Sequence, residues 1–257
     1  MNTRSFRRIE SEDNRLYKQL VQTLSGRGVR KHDAAIVSGA KIIADLLRTS
    51  PDLAQAWIST PKQSPPPPEL PERAAWYQIA PSLFRTLDVA GTDAPLLLVA
   101  TPEMPAWDPE QLARGCTLLV PFQDPENVGA VIRSAVAFGV SEIVLLAEAA
   151  HPYHPKVLRA SGGAVFLATL RRGPSIAELP DALPIVALSS EGAGVSTFAF
   201  PDRFALLPGV EGPGLPERFR AHALSIPMSE RIESLNAATA AAIALYVWSE
   251  TRRETRR

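Results

Sequence analysis

The chain is short of cysteine, of histidine and of long apolar runs. Its 257 residues hold one cysteine, Cys116, which excludes an internal disulfide framework and any metal site built on several thiolates. A lone thiol suits a reducing compartment, so the cytoplasm is the expected location. The histidines, His32, His151, His154 and His222, are scattered. His151 and His154 share a proline-flanked loop but lack the further ligands that zinc requires, and no metal is expected. No apolar stretch approaches the ~18 residues that cross a bilayer. The nearest, Ala237 to Trp248, is alanine-rich, so no membrane partner is expected. The basic start, with Arg4, Arg7 and Arg8, runs into Glu10, Glu12 and Asp13 where a signal peptide needs an apolar stretch, and no export is expected.

Net charge is missing as well, with 27 Lys and Arg against 27 Asp and Glu. Proteins that bind phosphate usually carry excess positive charge, so this balance speaks against nucleic acid unless the charge is gathered locally. It is gathered. Arg4, Arg7, Arg8, Arg15, Lys18, Arg27, Arg30, Lys31, Lys41 and Arg48 bias the first fifth of the chain, and Arg252, Arg253, Arg256 and Arg257 form a basic tail. Both ends are candidates for phosphate contact, although on charge alone a solvated surface accounts for them better.

What is present is apolar content of 46%, enough for a sizeable core and for two modest domains. Ala34 to Leu47 has helical spacing, and Ala56 to Ile58 and Leu96 to Ala100 read as strands. Between them, Ser64 to Pro71 includes a run of consecutive prolines and must be an extended surface loop. Thr101 to Gly115, with prolines at 102, 105 and 109, is the best linker. The domains are therefore expected at 1–110 and 111–257. Beyond the linker, strand-like runs at Thr117–Pro121, Glu142–Leu146, Ala164–Leu167, Pro184–Ser189, Phe204–Leu207 and Ala223–Ile226 alternate with helical stretches. That alternation predicts an α/β domain on a mainly parallel sheet. Val128, Ile132, Ala135 and Gly139 would share one helix face against it.

The common nucleotide and hydrolase signatures are absent: no G-x-G-x-x-G, no Walker motif, no G-x-S-x-G, no H-E-x-x-H. Three other segments stand out together, at Gln123–Ala135, Leu207–Leu215 and Ile226–Ala238. In order and spacing they resemble the three signature motifs of the SpoU (TrmH-like) RNA 2′-O-ribose methyltransferases of the SPOUT superfamily. Pro155–Ala164 resembles the stretch between the first two. The resemblance is strong over about residues 115 to 250 and loose over the first hundred, which look like a small substrate-binding α/β domain. It implies a trefoil-knotted α/β catalytic domain with a mainly parallel sheet, a homodimer with its site near the interface, S-adenosylmethionine as cofactor, and RNA, either tRNA or rRNA, as substrate.

By the same likeness Asn127, Arg133, Glu211, Ser234 and Asn236 belong to the catalytic site. Leu207, Gly209, Gly212, Ile226, Met228 and Leu235 belong to the cofactor pocket. Read as bare residues, Asn127 and Ser234 are plausible helix N-caps, Asn236 falls in a first helical turn, and Ile226 and Leu235 are core. Arg133 alone is a solvated charge; in this motif it would clamp phosphate or help remove the proton that makes a ribose hydroxyl a poor nucleophile. A guanidinium with pKa above about 12 favours the clamp. The glycines at 209–214 would permit positive φ and close approach of backbone to ligand. Ala237 stands where the family often has Val, and Pro213 is less usual in its motif; neither contradicts activity. The rival reading is an RNA-binding or assembly factor that kept the fold and lost turnover, and a third is methylation of a base.

Overall fold

The computed structural model describes residues 4–209, 215–220, 223–229 and 231–254. In chain order the first half forms β1 (Arg7–Ile9), α1 (Arg15–Gln22), α2 (Gly26–His32), β2 (Ala34–Val37), α3 (Ala40–Thr49), β3 (Ala54–Ser59), β4 (Ala75–Ile79), α4 (Pro81–Leu87) and β5 (Leu96–Ala100). The second half forms β6 (Gly115–Val120), α5 (Pro125–Ala137), β7 (Glu142–Leu145), α6 (Pro155–Ala160), β8 (Leu170–Arg172), β9 (Ile185–Gly194), β10 (Arg203–Leu207), α7 (Glu217–Arg220), β11 (Leu224–Ser225) and α8 (Ala237–Glu254). Two compact units result. One holds residues 1–103 together with 151–166, and the other holds 104–150 and 167–257.

The N-terminal unit is a five-stranded sheet in the order β1-β4-β3-β5-β2, parallel from β1 to β3 and antiparallel from β3 to β2. Strand side chains alternate, so Ile9, Ile58, Ile79 and Leu96 share one face, which Leu20 of α1 and Phe84 of α4 cover. The stretch expected to be helical from Ala34 splits: Ala34–Val37 is a fully buried strand at the end of the sheet, and the helix starts only after Gly39, whose φ of 96° breaks the chain direction. Helical spacing over four consecutive apolar residues cannot distinguish the two states.

The second unit is a six-stranded sheet in the order β11-β9-β10-β6-β7-β8, parallel at every pairing. Buried on both faces, its strands read as short apolar runs, as the alternation of elements predicted. Ala164–Leu167, expected as a strand, is not one: Ala164–Phe166 is a single 3-10 turn after Gly162 and Gly163, whose φ values of 59° and 85° suit a turn. The strand there is β8, which pairs with β7. On α5, Val128, Val131, Ile132 and Ala135 are buried, whereas Gly139 lies beyond the helix at φ 73° and ends it. α8 turns Ala238, Ala241, Ala244, Leu245 and Trp248 inward, and its small side chains pack closely with α5. Among the described residues, no helix is long and apolar enough to cross a membrane.

Candidate active site

In the second unit the chain steps from β9 to its neighbour β10 and then returns to β11 on the other side of β9. Such a reversal opens a crevice at the carboxyl ends of parallel strands. A cleft of about 530 Å³ lies there, within the size range of small-molecule sites. Its walls are the middle of β9 from Leu188 to Glu191, Gly209 after β10, Leu215 and Arg220 around α7, Leu224 of β11, and Ile226, Met228 and Ser234 to Ala237 leading into α8, with Ala240.

Six of the expected residues therefore converge: Gly209, Ile226, Met228, Ser234, Leu235 and Asn236 all line this cleft. Asn236 carries the first motif to it, because its Nδ2 donates to Oδ1 of Asn127 at 2.9 Å. Residues 109 positions apart thus share a bond at the start of two packed helices, α5 and α8. Leu207 does not line the cleft; it is fully buried in the core of the second sheet, with Leu119 and Val144. Glu211 and Gly212 lie outside the described residues. Arg133 is exposed on α5, and its guanidinium makes no hydrogen bond or ion pair with the described residues.

The local roles of three residues differ from expectation. The N-cap of α5 is Asp124, which accepts from Glu126 N at 3.0 Å with Pro125 in the first helical position; Asn127 sits inside the first turn and turns its amide to Asn236. The cap of α8 is Asn236, not Ser234: its Oδ1 accepts from Thr239 N at 3.1 Å. Gly209 is not among the described glycines with positive φ, and among the described residues a Cβ there would meet the Leu188 carbonyl at 3.4 Å, an ordinary contact.

Sequence reasoning missed the β9 end of the cleft. Ser189, Ser190 and Glu191 line its wall, and so does Arg220, which is also paired with Glu217 at 3.3 Å. The signal was a polar cluster ending in Gly192 at the carboxyl end of a predicted parallel strand, the place where such sheets hold ligands. No group of three or more His, Cys, Asp or Glu able to hold a metal ion occurs among the described residues.

The model of the SpoU rRNA Methylase family matches residues 116–246, which contain the cleft and the Asn127–Asn236 bond. A Syntrophobacter fumaroxidans protein named ribosomal RNA small subunit methyltransferase G 2 is 54% identical over all 257 residues. The chain spans about half the length of that relative, 52%. The 23S rRNA (uridine(2479)-2′-O)-methyltransferase of Streptomyces viridochromogenes is 36% identical over 68% of this chain and 67% of its own. The crystal structure of the SpoU methyltransferase AviRb from Streptomyces viridochromogenes, in complex with the cofactor AdoMet, superposes with a TM-score of 0.77 at 26% identity, covering 93% of this chain and 98% of that one. With its parallel sheet, its ordered motifs and a family match over 116–246, the chain belongs to the SpoU rRNA methylase family.

Proposed function

We propose that this chain transfers a methyl group from S-adenosylmethionine to a ribose 2′-hydroxyl of structured RNA, with ribosomal RNA favoured over tRNA by the names of its relatives. The observation that carries the reading is the Asn236–Asn127 bond, which ties the first motif to a cleft lined by the third motif.

The residues present fit the cofactor. Leu188, Leu215, Ile226 and Leu235 offer an apolar slot for an adenine, and Gly209 leaves backbone open to close approach. Ser189, Ser190 and Glu191 can accept from or donate to ribose hydroxyls. When bound, the cofactor supplies a methyl group on a positively charged sulfur. The protein's task is then to hold a ribose hydroxyl in line with it and to favour loss of the hydroxyl proton. Exposed and unpaired among the described residues, Arg133 is available to a phosphate of the RNA, where a planar, permanently charged fork orients the neighbouring ribose. Asn127, held by Asn236, supports the α5 turn that carries this motif.

The N-terminal unit and the basic ends help choose the RNA in this reading. A trefoil knot, a homodimer with the site near its interface and a cytoplasmic location complete it by family likeness. Incubation of the purified chain with labelled cofactor and total rRNA or tRNA tests it. Alkali-resistant methylated dinucleotides are expected from one of these RNAs; their absence from all would refute the proposal and leave the fold without turnover.

A further inference from the structure

The sheet of the N-terminal unit has two unlike faces. One is sealed by α1 and α4. On the other, strand alternation places Phe6 and Arg8 at the β1 edge beside Trp76 of β4. The Phe6 and Trp76 rings meet edge to face with centroids 5.2 Å apart, and the Arg8 guanidinium sits 5.6 Å from the centre of the Phe6 ring. The Trp76 indole N–H donates to Ser59 Oγ at 3.0 Å, which fixes its plane. Phe6 remains 40% exposed and Trp76 half-buried.

Among the described residues β1 pairs only with β4, which leaves it at the edge of the sheet. Charge alone blunts such an edge. Two aromatic rings left beside it do not serve that purpose, because they add apolar surface where a sheet is most prone to recruit another strand. Arg8 is exposed and has no ion-pair partner among the described residues, whereas Arg7, paired in register with Tyr77, lies on the opposite face. Arg4 is spent on the carbonyls of Leu70 and Pro71 and anchors the proline loop behind the edge. A held indole plane and a second ring, with the unneutralised Arg8 guanidinium beside them, match an unpaired nucleotide: a base stacks on the rings, and a phosphate meets the cation.

We propose that Phe6, Trp76 and Arg8 form a stacking platform for an unpaired base of the RNA substrate. The inference takes from the proposed function only that the partner is RNA, and its test does not depend on methyl transfer. Trp57, Trp107 and Trp248 are 7%, 8% and 2% exposed, so Trp76 is the tryptophan that a bound base can quench.

The experiment titrates the full chain with single-stranded oligouridylate and with an RNA duplex of equal length, following tryptophan emission and the anisotropy of labelled RNA. The single strand is expected to quench, and the duplex to bind without quenching. Phe6→Ala is expected to weaken single-strand binding about ten-fold with an unchanged circular dichroism spectrum. Trp76→Phe keeps a ring, and should abolish the quenching while retaining most of the affinity. Arg8→Ala should lower the slope of affinity against salt. Equal quenching by duplex, unchanged affinity in Phe6→Ala, or displacement of RNA by an extended uncharged peptide would overturn the platform, the last in favour of strand addition at this edge.

Discussion

A single amide does two jobs at Asn236: its oxygen caps α8 and its nitrogen reaches Asn127. The two are separable by chemistry. Aspartate is as good a cap as asparagine but lacks the N–H, so Asn236→Asp should keep the thermal midpoint and lose at least ten-fold in turnover. Asn236→Ala should lose the turnover and about 1 kcal/mol of stability besides. Differential scanning calorimetry beside a single-turnover assay reads both. Arg133→Ala should remove turnover by roughly 100-fold or more while leaving cofactor affinity unchanged, because the side chain is no part of the cleft wall. Arg133→Lys should recover only part, since it keeps charge and loses the fork. At this scale the motif residues were legible, but their local roles were not. Asp124 followed by Pro125 is a stronger helix start than Asn127, and a helix that begins at Ala237 makes Asn236 the cap in place of Ser234.

Among elements, β9 carries most of the site. Ten residues long, it pairs with β10 through Ile185–Ala187 and with β11 through Ala193–Gly194. Gly192 stands at the crossing with φ 140°, and a Cβ there would lie 2.1 Å from the Ala223 carbonyl oxygen. Gly192→Ala should therefore force β11 from β9, widen the cleft and abolish cofactor binding while most of the parallel sheet survives. Hydrogen exchange should show new opening at 223–226, with protection of β6 and β7 retained. The sequence made the strand legible as far as Ser189. Its polar extension was not, because an exposed strand end that pairs with a two-residue β11 shows no apolar alternation. β8 escaped for a similar reason: three residues, two of them arginine, are held by pairing with β7 and not by composition.

On the scale of the whole molecule, alternating elements made the parallel sheet predictable, but the return of residues 151–166 to the N-terminal unit was not, since it rests on contacts distant in sequence, such as those of α6 with β2. That returning segment brings a pH dependence with it. His151 is lowered to about 4, first by burial, then by Arg30 of α2 and by His154, and its Nδ1 accepts from the Tyr153 amide at 3.3 Å. An unfolded histidine titrates near 6.5, so between about pH 6.5 and 4 the unfolded chain binds the extra proton. Stability is complete above that window and falls as the solution is acidified through it. Denaturant midpoints across this range should show the loss, and His151→Asn, which keeps an acceptor near Nδ1 without a titration, should lessen it, leaving the share of His154, which burial and Lys156 also lower. Cofactor binding in the cleft underlies the proposed activity. It is tested most directly by calorimetric titration of S-adenosylmethionine into the wild-type chain and into Leu235→Arg, which fills the cleft with a cation. One cofactor per chain at micromolar affinity is expected in the first and none in the second. No binding to the wild type, or equal binding to both, would contradict it.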